Sequence, residues 1–167
     1  MGCGKTTIGK VLARELDVPF VDTDDLIIAR HGAIAEIFAR RGHDGFRALE
    51  LEAVRTALAG PPAVLALGGG AVTHPPTREL LAERSLRIYL EVPAETILTR
   101  LRHSKTVRPV LGGYPTLERV RALMAAREPL YREADLIVPG PYRTKQTFAR
   151  EIAARVRAHQ DAGVAQA

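Results

Sequence analysis

The sequence predicts an α/β fold, a three-layer sandwich in which helices cover both faces of a parallel sheet. Short apolar runs alternate with longer segments whose apolar residues recur at the helical period, and this alternation is typical of strands joined by helical crossovers. The glycine-rich stretch Gly2–Thr6 precedes the first helical segment, as a phosphate-binding loop would. With 167 residues and 46% hydrophobic side chains, the chain is long enough for one core, and we expect one domain.

Helices are predicted where apolar residues recur at the helical period and a start or stop signal adjoins them. The acidic run 22–25 opens the second helix, Gly32 ends it, and Gly42 breaks the helical turn that follows. Pro129 should kink or split the helix that contains it. In chain order the predicted helices are Lys5–Leu16, 22–31, Ile34–Ala39, Phe46–Leu58, Pro76–Arg84, Ala94–Arg102, Thr116–Glu133 and Thr144–Ala158.

Short apolar runs between these helices predict buried parallel strands. They are Pro19–Val21, Ala63–Leu67, Leu86–Glu91 and Leu136–Val138. A phosphate-binding loop normally joins a strand to a helix, so we expect a fifth strand, with the opening glycine of the loop, upstream of Met1 and a working protein that begins about ten residues earlier. Since burying each Val, Leu or Ile contributes about 1.5–3 kcal/mol, we expect the chain without this strand to fold poorly.

Charge and composition narrow the possible partners. The formal net charge is +5, but the arginines are spread along helices and aromatic residues make up only 5%, which disfavours nucleic acid and suits small anions. No apolar run reaches the length of a membrane span, and the first residues lack the pattern of a secretory signal. The single cysteine, Cys3, cannot form an internal disulfide, so we expect a cytoplasmic protein with small-molecule partners.

The stretch Gly4-Lys5-Thr6 matches the closing half of the pattern G-x-x-x-x-G-K-[ST]. Glycines without a Cβ let backbone N–H groups approach phosphate oxygens at a helix N-terminus. Lys5 would reach the β- and γ-phosphates of ATP, and Thr6 would bind Mg²⁺. The alternative is a glycine-capped helix start with a chance lysine, which the strand predicted after the first helix disfavours.

Asp22 and Asp24 follow a predicted strand at the edge where open α/β sheets bind ligands. Asp22 could hold Mg²⁺, directly or through water, and Asp24 could bind a substrate hydroxyl group and accept its proton. The alternative is a helix start in which Thr23 caps the helix and the acidic residues complement its dipole. We prefer that alternative for Asp25 only.

Gly68–Gly70 follows the second predicted strand. Three consecutive glycines suit a close approach of N–H groups to a ligand carboxylate or hydroxyl group, although a structural turn is the alternative. Arg47 and Arg127 lie on predicted helices, where a solvated arginine is the default, so the residues alone leave their roles undecided. Arg108 lies in a long polar segment typical of a lid, where it could neutralise charge on a transferring phosphoryl group.

Together these stretches resemble the shikimate kinase family of small phosphate-loop kinases. The resemblance runs in order from Gly2 to about Val138. Its motifs are Gly2-Cys3-Gly4-Lys5-Thr6, Asp22-Thr23-Asp24, Phe46-Arg47, Gly68-Gly69-Gly70-Ala71-Val72, Arg108-Pro109-Val110-Leu111 and Arg127-Glu128-Pro129-Leu130-Tyr131. It implies a five-stranded parallel sheet whose central first strand is missing from this chain. It also implies a monomeric enzyme that transfers the γ-phosphoryl group of ATP to the 3-hydroxyl group of shikimate, a step toward chorismate and the aromatic amino acids.

The resemblance implies roles for individual residues. The catalytic residues would be Asp24, Lys5 and Arg108, and the Mg²⁺ ligands would be Thr6 and Asp22. The shikimate contacts would be Asp24, Arg47, Gly69, Gly70 and Arg127. The ATP contacts would be Gly2, Cys3, Gly4, Lys5, Thr6, Thr7, Arg108 and Arg143, with Arg102 a second candidate for the adenine pocket. Two departures from the family pattern are Cys3 in place of serine and Val110 in place of leucine.

One kinase domain is expected over residues 1–158, followed by a disordered tail at 159–167. Within it we expect a substrate-binding helical region at about 24–60 and a lid at about 103–114.

Two other functions stay open. A different small-molecule kinase of the same fold, such as a gluconate kinase, would also need a carboxylate site. A non-catalytic relative that binds a ligand or partner is disfavoured, because all the expected catalytic side chains are present. A separate hypothesis is that the Cys3 thiol, at a helix N-terminus, is readily alkylated and shielded by ATP, the alternative being an inert small residue.

Overall fold

This computed structural model describes residues 2–103, 114–140 and 144–164, and four parallel strands and seven α-helices lie within them. They follow one another in the order that the sequence predicts. Within these residues, none of the helices combines the length and apolar character that crossing a bilayer requires. The elements are α1 (Lys5–Leu16), β1 (Phe20–Asp22), α2 (Thr23–His31), α3 (Ile34–Leu58), β2 (Val64–Ala66), a 3₁₀ turn (Ala71–Thr73), α4 (Pro75–Arg84), β3 (Ile88–Glu91), α5 (Ala94–Arg102), α6 (Leu117–Tyr131), β4 (Leu136–Pro139) and α7 (Lys145–Val164).

Gly42 and Pro129 are the two helix breakers that the sequence marks, and they act differently. At Gly42 the backbone (φ 65°, ψ −167°) leaves the helical region and divides α3 into two segments, as predicted. The second segment carries Arg47. Pro129 lies in the last turn of α6, which ends at Tyr131, so this proline falls near the end of the helix and does not divide it into two halves.

The last helix is longer than the sequence predicts. α7 continues past Ala158 to Val164, so the tail expected to be disordered from residue 159 is helical as far as Val164. The reason is local: no glycine or proline occurs between Lys145 and Gly163, and the usual stop signals are therefore absent from that stretch.

The strands form two separate parallel pairs. β1 lies beside β2, with Phe20 opposite Val64, and β3 lies beside β4, with Ile88 opposite Leu136. Within the described residues β2 and β3 each have a strand partner on one side only. The four strands therefore form two half-sheets, not one continuous sheet.

An apolar cavity of about 690 Å³ lies between the two half-sheets. Successive residues of β2 and of β3 line it, and because successive residues of a strand point to opposite faces, the strand edges face this space. Ile8 and Leu12 from α1 and Ile152 from α7 form other walls, and Lys5 and Arg127 also border it. The cavity thus extends to residues predicted to form the site, while the expected fifth strand stays a prediction.

The pairing of α1 with α7 stabilises the helix that follows the phosphate-binding loop. Leu12 of α1 and Ile152 of α7 are 5% and 0% exposed, and both belong to one apolar cluster with Val138 of β4. Fully burying a leucine or isoleucine contributes about 1.5–3 kcal/mol. This packing fixes the position of the α1 N-terminus.

Two smaller apolar clusters hold the other helices of the site. Ile27 of α2 packs with Phe46 of α3, next to Arg47 in the sequence. Ile97 of α5 packs with Val120 of α6. The helices that carry the predicted site residues are therefore each supported by buried apolar contacts.

We expect Gly9→Ala to lower the free energy of unfolding by about 1–3 kcal/mol, the usual cost of overpacking. A Cβ at Gly9 would lie 2.6 Å from Cε2 of Phe20, so α1 could not keep its distance from β1. Urea unfolding followed by circular dichroism measures the change.

The matched control for this substitution is Gly60→Ala, where the nearest atom to the new Cβ is the Ala57 carbonyl oxygen at 3.4 Å. It should change stability by less than about 0.5 kcal/mol. Phe20→Leu should relieve part of the Gly9→Ala loss, because the clashing ring atom is removed. Equal effects of the two alanine substitutions would contradict the steric explanation.

Candidate active site

The predicted phosphate-binding loop lies directly in front of α1. Gly2 and Gly4 have φ values of 66° and 97°, a region that glycine adopts without strain. The Gly4 carbonyl oxygen accepts the first helical hydrogen bond, from the Ile8 N–H at 2.8 Å. The N–H groups at the start of α1 are therefore available to an anion, as at other helix N-termini.

Arg100 of α5 holds this loop in place. Its Nη1 donates to the carbonyl oxygens of Cys3 at 2.8 Å and Gly2 at 3.3 Å. A Cβ at Gly2 would lie 3.2 Å from Cγ2 of Ile97, so α5 also packs closely against the loop. Sequence reasoning missed Arg100, since an arginine in the last turn of a helix is ordinary and no motif marks it.

Lys5 lies beside the Cys3 thiol, with Nζ 3.9 Å from Sγ. Burial raises the pKa of the Cys3 thiol, but nearby positive charge, that of the Lys5 ammonium above all, and backbone N–H groups together hold the pKa below its usual value. A lowered thiol pKa is compatible with ready alkylation, and that hypothesis for Cys3 stays a prediction.

The side chains of Thr6 and Asp22, the two predicted Mg²⁺ ligands, lie in contact, and their role as ligands stays a prediction. The Thr6 hydroxyl donates to Oδ2 of Asp22 at 2.8 Å, and Oδ1 of Asp22 accepts from the Asp24 N–H at 3.1 Å. Asp22 is therefore the N-cap of α2. The sequence analysis considered Thr23 for that role. Thr23 is 1% exposed instead, and its hydroxyl joins the ends of the two strands.

The Thr23 hydroxyl donates to the Ala66 carbonyl oxygen at 3.2 Å and accepts from the Gly68 N–H at 3.3 Å. These bonds fix the turn after β2 relative to the start of α2. Asp24 is thereby held beside this turn, and a Cβ at Gly68 would lie 3.1 Å from its Oδ1. Asp25 is exposed, in agreement with the structural interpretation preferred for it.

Arg47 is buried, with 5% of its surface exposed. Its Nη1 donates to Oε2 of Glu50, which is 1% exposed, and Nη2 lies 3.3 Å from Nε2 of His43. Nε has no hydrogen-bond partner among the described residues. The guanidinium group reaches the turn after β2, because a Cβ at Gly70 would overlap it.

Glu50 contacts Arg47 of the candidate site, and the sequence analysis did not identify it. Burial raises the pKa of Glu50, Arg47 opposes that rise, and Asp24 adds to it. The signal in the sequence was the spacing of Arg47 and Glu50, because residues three apart on a helix lie on one face. A Cβ at Gly68 would overlap the Glu50 carboxylate, so this glycine leaves room for a side chain of the protein itself.

Arg127 contacts the same turn from α6. Its Nη1 donates to the Gly69 carbonyl oxygen at 2.9 Å, and the Tyr131 hydroxyl donates to the same oxygen at 2.5 Å. Asp24, Arg127 and Arg47 thus adjoin three successive glycines, Gly68 to Gly70.

The remaining predicted residues are less well placed or lie outside the described residues. Thr7 is exposed in the first turn of α1. Arg102 lies near Tyr114, with Cζ 5.9 Å from the ring centroid. Arg108 and Arg143, and most of the lid predicted at 103–114, lie outside the described residues.

Comparison with known proteins agrees with these motifs. A family model described as shikimate kinase matches residues 1–157. The chain is 45% identical over 161 residues to a shikimate kinase of Geobacter sulfurreducens, covering 96% of this chain and 88% of that protein. It is 51% identical over 137 residues to a shikimate kinase of Mycobacterium avium, covering 81% of this chain and 77% of that protein.

Solved structures give the same result. The fold matches a shikimate kinase from Acinetobacter baumannii in complex with shikimate, with a TM-score of 0.88 and 36% identity over 95% of this chain and 89% of that one. A shikimate kinase from Bacteroides thetaiotaomicron matches with a TM-score of 0.87 and 30% identity, covering 94% of each chain. These likenesses confirm the predicted α/β fold and the family resemblance.

The raised pKa of Glu50 predicts how the stability of the protein depends on pH. A carboxyl group with a raised folded-state pKa binds its proton more tightly when folded. Its contribution to the free energy of unfolding is therefore complete below the usual pKa, about 4.3. This contribution is lost as the pH rises through the pKa of the folded state. The stability of the wild type should fall relative to Glu50→Gln over that window, measured by urea unfolding at several pH values.

Asp135→Asn is a control of opposite sign for this experiment. The hydrogen bond from Arg87, with Nη2 2.9 Å from Oδ1, lowers the pKa of Asp135. Its contribution is present above the usual carboxyl pKa and is lost as the pH falls, so the wild type should lose stability relative to Asp135→Asn under acid. Parallel curves for wild type and Glu50→Gln would contradict the account of Glu50.

Proposed function

The chain belongs to the shikimate kinase family, and from that membership we propose that it transfers the γ-phosphoryl group of ATP to the 3-hydroxyl group of shikimate. The pathway served would be the one that leads through chorismate to the aromatic amino acids. The observation that carries the proposal is the arrangement around Gly68–Gly70, where an acid and two arginines converge on one short turn.

Arg47 and Arg127 would bind the carboxylate of the acceptor. They adjoin Gly70 and Gly69 respectively, and a planar guanidinium group can offer two parallel N–H donors to a carboxylate. The backbone N–H groups of this turn would add further donors. Two cations fixed beside a bare backbone favour a small organic acid as the acceptor.

The loop in front of α1 would bind the phosphates of ATP. Its residues are Gly2, Cys3, Gly4, Lys5, Thr6 and Thr7. The backbone geometry of Gly2 and Gly4 supports this assignment, as does the anchoring of the loop by Arg100. The assignments of Arg108 to the transferring phosphoryl group and of Arg143 to the nucleotide rest on sequence alone.

Thr6 and Asp22 fit the proposed Mg²⁺ site. Mg²⁺ prefers oxygen ligands and commonly uses only one or two protein groups beside waters and phosphates. These two side chains supply a hydroxyl and a carboxylate joined at 2.8 Å. The described residues contain no group of three or more His, Cys, Asp or Glu side chains that could hold a metal ion. A Mg²⁺ site that is completed by phosphates and waters does not need such a group. Bound there, Mg²⁺ would neutralise charge on the phosphate oxygens.

In the proposed reaction Asp24 holds the acceptor hydroxyl group and takes its proton. The hydroxyl oxygen forms a bond to the γ-phosphorus as the bond from that phosphorus to the bridging oxygen of ADP breaks. Lys5 neutralises charge on the phosphates during this exchange. Because such transition states are loose, positioning and charge neutralisation contribute more than the strength of the base.

We also propose that the protein acts as a monomer in the cytoplasm on these two small molecules. The net charge of +5 and the 5% content of aromatic residues suit anionic metabolites and give little support to a nucleic-acid partner.

The test of the function is a coupled assay of ADP release with shikimate and, separately, with gluconate. We expect release with shikimate well above the background rate of ATP hydrolysis and none above background with gluconate. Release with gluconate alone would assign a different acceptor, and release with neither would contradict a kinase function for this chain.

We expect Asp24→Asn to lower kcat by about 10²–10⁴-fold, the range for loss of a general base or acid. The matched control is Asp25→Asn, because Asp25 is the exposed neighbour on the same helix. It should stay within about twofold of wild type. Steady-state kinetics with thermal melts of both variants check this, and similar kcat values for the two would remove Asp24 from the proposed step.

Asp22→Asn should raise the Mg²⁺ concentration needed for half-maximal activity by at least about tenfold. Asparagine is as good an N-cap as aspartate, so α2 should keep its start while the site loses a charge. Titration of activity against Mg²⁺ measures the shift, with Asp25→Asn again as the control. An unchanged Mg²⁺ requirement would show that Asp22 is not a ligand.

A further inference from the structure

The carbonyl oxygen of Gly69 accepts two hydrogen bonds from one helix. Arg127 donates through Nη1 at 2.9 Å and Tyr131 through its hydroxyl at 2.5 Å. The two donors are four residues apart and therefore lie on the same face of α6. A carbonyl oxygen has two lone pairs, so these two hydrogen bonds use all of its capacity as an acceptor.

The Tyr131 ring is itself held from β3. It stacks on Tyr89 with ring centroids 5.1 Å apart and an angle of 24° between the planes. The Tyr89 hydroxyl donates to Oε2 of Glu128 at 2.8 Å. Burial first, and then the hydrogen bond to Glu128, raises the pKa of Tyr89, which keeps this hydroxyl protonated and able to donate.

Arg132 completes this support. It lies 2.8 Å from Oε1 of Glu128 through Nε and 2.5 Å from Oε1 of Glu91 through Nη2. Glu91 is the last residue of β3 and Glu128 lies in α6. The stacked ring and these ion pairs connect the end of β3 to the turn after β2, across the two half-sheets.

We infer that Tyr131 is a positioning residue for the acceptor site: it fixes the Gly69 carbonyl group and, through it, the direction of Arg127. The inference rests on the proposed function. Glycine allows many backbone conformations, so a peptide group at Gly69 needs an external bond to keep one orientation. With Tyr131 holding that oxygen, Arg127 uses one donor on it and, within the part of the chain that the structure describes, has four N–H groups left for a carboxylate.

The inference predicts an effect on binding and not on the chemical step. Tyr131 contacts the turn that would receive the acceptor carboxylate, while the proposed phosphate loop and Asp24 have other supports. Loss of its hydroxyl should weaken ground-state and transition-state binding of the acceptor equally. Such a loss raises KM and leaves kcat unchanged.

The experiment compares Tyr131→Phe with Tyr89→Phe, two substitutions that keep the aromatic stack and remove one hydroxyl each. We expect Tyr131→Phe to raise the KM for shikimate by about 2- to 12-fold, the effect of one neutral hydrogen bond. Its kcat and its KM for ATP should stay within about twofold of wild type. Tyr89→Phe should leave all three constants within about twofold, because the ring stack and the Arg132 ion pairs to Glu128 and Glu91 still hold Tyr131 when this hydroxyl is lost.

A second measurement keeps the test independent of turnover. The rise in melting temperature caused by a fixed concentration of shikimate should be smaller for Tyr131→Phe than for wild type or Tyr89→Phe. An unchanged KM for shikimate in Tyr131→Phe, an equal increase in both variants, or a fall in kcat without a change in KM would each overturn the inference. Absence of shikimate-dependent ADP release by the wild type would instead overturn the proposed function.

Discussion

Burial of the Arg47 guanidinium group is the constraint on which the acceptor side of this protein depends. A buried cation is stable only when an opposite charge and hydrogen bonds accompany it, and Glu50, three residues later in α3, provides both. The pair then occupies space beside the turn after β2, where side chains at Gly68 or Gly70 would collide with it. Two of the three consecutive glycines are therefore required by the ion pair, before any ligand is considered.

The phosphate side and the acceptor side of the site are held by two neighbouring helices, α5 and α6. The loop in front of α1 is held by Arg100 of α5, and the turn after β2 is held by Arg127 and Tyr131 of α6. α5 and α6 share an apolar cluster, against which Cys3 of the loop also packs. A displacement of α6 would therefore affect the acceptor side directly and the phosphate side through α5.

Periodicity and motifs predicted the helices and strands, because both signals depend on residues close in sequence. The bounds of α1 and α5 agree with the prediction at both ends, and Gly42 breaks α3 where expected. Glu50 was not identified, because its spacing from Arg47 does not reveal that the pair is buried. Arg100 was not identified, because its contacts form only after folding. Arg100 bonds carbonyl groups nearly one hundred positions earlier in the chain, and no local pattern encodes such a contact. The division of the strands into two half-sheets also depends on long-range pairing.

The stacked pair of Tyr89 and Tyr131 has a spectroscopic consequence. The sequence contains four tyrosines and no tryptophan, so the near-ultraviolet emission of the protein comes from phenol rings without energy transfer to an indole. Tyr89 bonds a carboxylate and Tyr131 bonds the Gly69 carbonyl oxygen, and hydrogen bonds of this kind quench phenol fluorescence. An event that lengthens the bond from Tyr131 to Gly69 would brighten the emission, which gives the turn an intrinsic, label-free optical reporter.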